Sequence, residues 1–84
     1  MSSKFGDKVA RASRLAKERG SISLAALAVD LGVFLYYART IAKAAIDLDH
    51  GLVLDRLFRP KEGEDPWSLY DKAWFEAERA RLRT

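Results

Sequence analysis

The 84-residue sequence predicts an α+β fold, mostly α, on three observations. Phe5, Val9, Ala12 and Ala16 recur four, three and four residues apart, the spacing of one helical stripe. Leu27, Ala28 and Leu31 are followed at once by Gly32-Val33 and then by Ala38 and Ile41, the pattern of two short helices joined by a tight glycine turn. The polar run Arg59-Pro-Lys-Glu-Gly-Glu-Asp-Pro66 separates two short stretches that read as strands, so a hairpin precedes the last helix.

The first helix runs from Phe5 to Arg19. Leu15 flanks its apolar stripe, and Arg11, Arg14, Lys17 and Glu18 fall on the wet face. Gly20 ends it as a C-terminal cap. Ser21-Ile22-Ser23 is a candidate edge strand, and Ser23 is a suitable N-cap for a helix from Leu24 to Leu31. Ala28 is small because the following helix crosses close to it. Gly32 supplies the left-handed backbone that a Cβ would oppose. The next helix spans about Phe34 or Leu35 to about Leu48, with Ala38, Ile41, Ala42 and Ala45 on its inner face, and Asp49-His50-Gly51 closes it.

Leu52 to Phe58 has two readings. As a strand, Leu52 and Leu54 point one way and Val53 and Asp55 the other, with the alternation breaking at Arg56-Leu57-Phe58. As a helix, Leu54, Leu57 and Phe58 share a face. The polar turn that follows favours the strand, with Trp67-Ser-Leu-Tyr70 as its return partner. Asp71 is an N-cap for a last helix, Lys72 to Arg83, whose inner face is Ala73, Trp74, Ala77 and Ala80.

Composition narrows the function. A chain that is 49% apolar and 32% charged folds as a globular protein, here one domain over residues 1–84. It has no cysteine, so neither a disulfide nor a thiolate metal site is expected. His50 is the only histidine, and with Asp47 and Asp49 it makes no metal or catalytic constellation. There is no nucleophile motif and no phosphate loop. The expectation is therefore no enzyme, no cofactor and no metal. The N-terminus carries Lys4, Asp7, Lys8 and Arg11 with no long apolar run behind them. The weakly charged stretch from Gly20 to Ala38 is interrupted by Asp30 and Gly32. No signal peptide and no membrane span are expected, and a cytoplasmic location follows. The net charge is +3, and residues 1–19 hold six basic against two acidic side chains. A basic surface favours a polyanionic partner; the simpler account is a solvated helix face.

The two helices about the glycine turn have the form of a helix-turn-helix. With the hairpin and last helix added, the chain resembles the winged helix-turn-helix family over roughly residues 5 to 83. Leu27, Ala28, Leu31, Gly32, Val33 and Ile41 carry the resemblance, and Ala38 stands where the family more often has valine or isoleucine. The tail Trp67-Ser-Leu-Tyr-Asp-Lys-Ala-Trp74 resembles the second wing strand and following helix of small archaeal and bacterial regulators. The helix-turn-helix occupies about 24–48, the wing about 52–70 and the C-terminal helix about 71–83. The resemblance implies sequence-specific binding of double-stranded DNA by a small transcriptional regulator, with the second helix of the motif in the major groove. Carried over, Leu35, Tyr36, Arg39, Thr40 and Lys43 face the groove. Arg39 is suited to fork onto a guanine edge, and Thr40 to touch a thymine methyl or a phosphate. Arg56, Arg59 and Lys61 contact phosphates from the wing.

Two features leave alternatives open. The recognition helix begins Phe34-Leu35-Tyr36-Tyr37, apolar and aromatic where polar residues are common in the family. Its tyrosines suit phosphate contacts, its aromatic surface suits a protein partner, or Phe34 and Tyr37 pack on the first helix. Glu62, Glu64 and Asp65 crowd the wing tip and repel phosphate. The alternative function is thus a winged-helix protein–protein interaction module, an accessory subunit of a transcription, replication or other cellular complex. In the last helix, Phe75 points away from Trp74 and nearer to Leu82, which suggests a second apolar face and a homodimer built on Trp74, Phe75 and Leu82. Arg79, Arg81 and Arg83 complement the dipole at that helix's end.

Overall fold

A computed structural model of the chain describes residues 4–56 and 66–83. The elements in order are α1 (Lys4–Arg19), β1 (Ser21–Ser23), α2 (Leu24–Leu31), α3 (Leu35–Leu48), β2 (Leu52–Asp55), β3 (Ser68–Asp71) and α4 (Lys72–Leu82). The fold is mostly helical with one small antiparallel sheet, an α+β architecture.

The sheet has the order β1-β3-β2, so the last strand in sequence is the central one. Leu69 pairs with Ile22 on one side and Leu54 on the other; Tyr70 pairs with Ser21 and Val53. Because side chains alternate along a strand, these two rows face opposite ways. The row of Ile22, Leu69 and Leu54 joins Leu52 against the three-helix core, which contains Val9, Ala12 and Ala16 of α1, Leu24 and Leu27 of α2, and Ile41, Ala42 and Ala45 of α3. Alanines at the meeting of α1 and α3 let the helix axes approach closely.

Tyr70 faces the other way and receives α4. Its ring stacks on Trp74 at 5.7 Å and tilts against Phe75 at 5.1 Å. This differs from the alanine face expected from the sequence. Trp74, Phe75 and Glu78 turn inward, while Ala73, Ala77 and Ala80 are exposed. The physical reason is that two aromatic side chains bury far more apolar area than three alanines, and Tyr70 offers them a flat partner.

Local chemistry sets the boundaries. Ser23 Oγ accepts from the Ala26 N–H at 3.1 Å and starts α2. Gly32 has φ +66°, and the Gly32 and Val33 N–H groups bond back to the Val29 and Ala28 carbonyls, a Schellman end. Only Gly32, Val33 and Phe34 separate α2 from α3, and the chain bends by 99° there. Phe34 caps α3 without a side-chain hydrogen bond. β3 begins one residue later than the sequence suggests, at Ser68; the preceding Trp67 still carries the register one step on, its carbonyl accepting from Leu24 N–H at 3.1 Å. Asp71 both closes β3 against Leu52 and caps α4, its Oδ2 accepting from Trp74 N–H at 3.2 Å. β2 stops at Asp55, just before the expected break in alternation at Arg56. Leu57, Phe58 and the polar turn as far as Asp65 lie outside the described residues.

Candidate functional site

α3 is the element best placed to meet a partner. Its inner row of Ala38, Ile41, Ala42 and Ala45 is buried, which fixes the opposite row outward by helical geometry. That outer row is Tyr36, Thr40, Lys43 and Asp47, all exposed. Thr40 Oγ1 donates to the Tyr36 carbonyl at 3.3 Å, so the hydroxyl is oriented by its own helix. Leu35 is partly exposed and Arg39 is half-buried, both beside the row. Of the groove-facing set expected from the sequence, Leu35, Tyr36, Arg39, Thr40 and Lys43 therefore lie together on one exposed side of one helix.

The two flanks of α3 differ. On one, Tyr37 meets α1 through Phe5, edge to face at 6.0 Å. On the other, Arg39 and Lys43 line a cleft of about 180 Å³ with Leu54 of β2 and Trp67 at the start of β3. Arg56, just beyond β2, lays its guanidinium over the Trp67 ring at 5.2 Å. Arg39 and Lys43 thus line the same cleft as the indole that Arg56 covers. The sequence marks Arg39, Lys43 and Arg56 but treats Trp67 only as a strand residue. The β2–β3 pairing sets Trp67 next to Leu54, and the packing of β2 on α3 brings both to Arg39 and Lys43, a tertiary contact that no local pattern reveals. Arg59 and Lys61, expected on the wing, lie outside the described residues.

The aromatic opening of α3 divides. Tyr37 packs toward α1, as one reading expects. Phe34 does not: it is 88% exposed, and Tyr36 is 83% exposed. Phe34 precedes the first turn of α3 with an extended backbone, so its side chain points away from the helix that would have covered it. Of the residues expected at a second-subunit interface, Phe75 is only 6% exposed and belongs to the chain's own core under Tyr70. Trp74 is half-buried beneath the end of α1, and Leu82 is 51% exposed.

A second groove, about 240 Å³, lies between α1 and the end of α2, lined by Lys4, Asp7, Lys8, Arg11, Asp30 and Leu31. Its charges are mixed, and Asp30 is held by Arg19 at 3.2 Å. Below α3, Asp49 forms a structural junction: its carboxylate accepts from Ser13 Oγ at 3.0 Å and Gly51 N–H at 2.9 Å and pairs with Lys17. The hydrogen bond from Lys17, then that from Gly51, lowers its pKa from 3.8 to about 2. On α4, Arg81 forks onto Glu78 and holds that carboxyl below its ordinary range. His50 is exposed, and among the described residues no group of three histidine, cysteine or acidic side chains is placed to hold a metal. No single helix among the described residues is long and apolar enough to cross a membrane. Comparison with protein families, with curated proteins and with solved structures finds no match.

Proposed function

We propose that this chain is a winged-helix DNA-binding protein, a small cytoplasmic transcriptional regulator that reads double-stranded DNA with α3. The order of elements and the β1-β3-β2 sheet support the winged-helix assignment, as does the 99° bend across a three-residue glycine turn, within the ~90–120° of helix-turn-helix pairs. The observation that carries the functional reading is the outward row of Tyr36, Thr40 and Lys43 with Arg39 beside it. In this mechanism α3 enters the major groove. Arg39 forks onto a base edge, Thr40 and Tyr36 meet phosphate or a thymine methyl, and Lys43 and Arg56 neutralise phosphates. Basic residues of α1 add attraction without sequence preference.

Two copies supply the affinity that one small domain lacks, and the exposed Leu82 of α4 is where they meet. Light scattering at high protein concentration tests this part: a strictly monomeric mass refutes it. The DNA reading is tested by duplex affinity across a salt series and by selection from a random duplex pool. Enrichment of a palindrome and a steep salt slope support it; no duplex binding at low salt overturns it.

A second reading rests on Phe34. An 88% exposed phenylalanine beside an 83% exposed tyrosine is unusual for a phosphate-facing surface and suits a protein partner. On that reading the chain is an accessory subunit, and α3 presents Phe34 and Tyr36 to another protein.

A further inference from the structure

The cleft between α3 and the sheet has a chemistry that the outer row of α3 lacks. Its wall combines the Trp67 indole and the Leu54 aliphatic chain, and Arg39 and Lys43 stand on its α3 side. Arg56 sits over the same indole, so a third positive charge lies at the sheet side. An indole in the cleft lining beside three cations suits a planar ring that carries a negative charge close by. The volume, about 180 Å³, is below the roughly 300–1,000 Å³ of sites for drug-sized ligands. It suits one planar ring system and not a chain of several. Paired bases in a duplex do not offer such a ring, because both faces are stacked.

We propose that this cleft receives one unpaired nucleotide of a DNA strand, its base against Trp67 and its phosphate between Lys43 and Arg56. This rests on the nucleic-acid reading above and adds a preference to it: a duplex with a single-stranded end is bound better than the same duplex with blunt ends. Base–aromatic stacking is tolerant of base identity, so the preference does not depend on overhang sequence.

The test compares three labelled DNAs by fluorescence anisotropy at low salt: a blunt duplex, the same duplex with a short overhang, and the overhang strand alone. Tryptophan emission is followed in the same titrations, with a free nucleoside monophosphate as a fourth ligand. The overhang duplex is expected to bind about tenfold tighter than the blunt one and to quench tryptophan emission. Trp67→Leu is expected to abolish both the preference and the added quenching. Should that variant misfold, Lys43→Glu, at an exposed position, is expected to reduce the preference in a folded protein. Equal affinity for blunt and overhang duplexes without added quenching overturns the inference and leaves the duplex reading standing. Quenching by the free mononucleotide without an overhang preference overturns the assignment to a strand. Absence of binding to every DNA overturns the nucleic-acid reading itself.

Discussion

The indole of Trp74 lies directly on the bare Cα of Gly20. A Cβ built at Gly20 comes within 2.7 Å of Trp74 Cγ and Nε1, a separation that real Cβ atoms do not show. Gly20 also has φ +82°, the left-handed region that L side chains avoid. This one glycine therefore ends α1, turns the chain into β1 and makes room for the ring that docks α4.

Gly20→Ala is expected to destabilise the protein by about 2–4 kcal/mol, combining left-handed strain with displacement of Trp74. Gly32 provides the control. Its φ is +66°, but nothing lies within 4 Å of a Cβ there. Gly32→Ala is expected to cost only about 1 kcal/mol, the backbone contribution alone. Urea denaturation of both variants checks the ranking, and equal losses count against the Trp74 contact.

Both capped helices offer a second stability test. Ser23 Oγ accepts from Ala26 N–H, and Asp71 Oδ2 accepts from Trp74 N–H. Ser23→Ala and Asp71→Ala are each expected to cost about 1 kcal/mol in denaturant unfolding. Asp71→Ala is expected in addition to loosen α4, visible as a change in Trp74 fluorescence in the native state, whereas Ser23→Ala leaves that signal in place.

Much of this framework is legible in the residues themselves. The stripe of Val9, Ala12 and Ala16, the inner row of α3 and the caps at Ser23 and Asp71 are local patterns, and the fold uses them as they read. α4 is the exception. Its three alanines are spaced as an inner face, yet they are exposed, because Tyr70 and Gly20 decide which side of α4 is covered. Both are set by strand pairing across some fifty residues, Ser21 with Tyr70, and helical periodicity has no access to that. The same holds for the cleft. Arg39 and Lys43 stand out in the sequence, but Trp67 reaches them through the packing of β2 on α3, a tertiary contact that local patterns do not show.

Asp49 gives a pH prediction with a defined sign. Its carboxyl has a pKa of about 2 in the folded protein against 3.8 ordinarily, through Lys17, Gly51 and Ser13. Between those values the unfolded chain binds more protons at this residue than the folded one. The contribution is therefore complete above about pH 4 and lost as the pH falls through about 2. Asp49→Asn removes the charge and its link to Lys17. The stability gap between wild type and this variant is expected to shrink as pH drops from about 4 to about 2. A gap that stays constant over that range refutes the assignment.

The salt dependence of duplex binding separates two roles within α3. Lys43 is an exposed point charge, so Lys43→Ala is expected to weaken blunt duplexes alike whatever their sequence and to lower the salt slope by about 1. Arg39 is half-buried beside the outer row and is the residue suited to a base edge. Arg39→Ala is expected to cost about 1–3 kcal/mol on the preferred sequence and less on others, relaxing specificity. If both variants weaken every duplex equally, Arg39 is a phosphate contact only.

Phe34 decides between the two functional readings, because its exposure makes it dispensable to the fold. At 88% exposed and without a capping hydrogen bond from its side chain, it contributes little burial in the free chain. Phe34→Ser is therefore expected to change stability by no more than about 0.5 kcal/mol, the range of ordinary surface substitutions. Serine at this position is also a better N-cap for α3 than phenylalanine, which offsets part of any loss. If α3 serves DNA, Phe34→Ser leaves duplex affinity and its salt slope close to wild type, since a ring carries no charge to release counterions. If α3 serves a protein partner, the same substitution removes an aromatic anchor worth ~2 kcal/mol or more at an interface centre, and binding to that partner falls while the fold stays intact. Denaturant unfolding, duplex titration and partner titration of this one variant therefore separate the two readings.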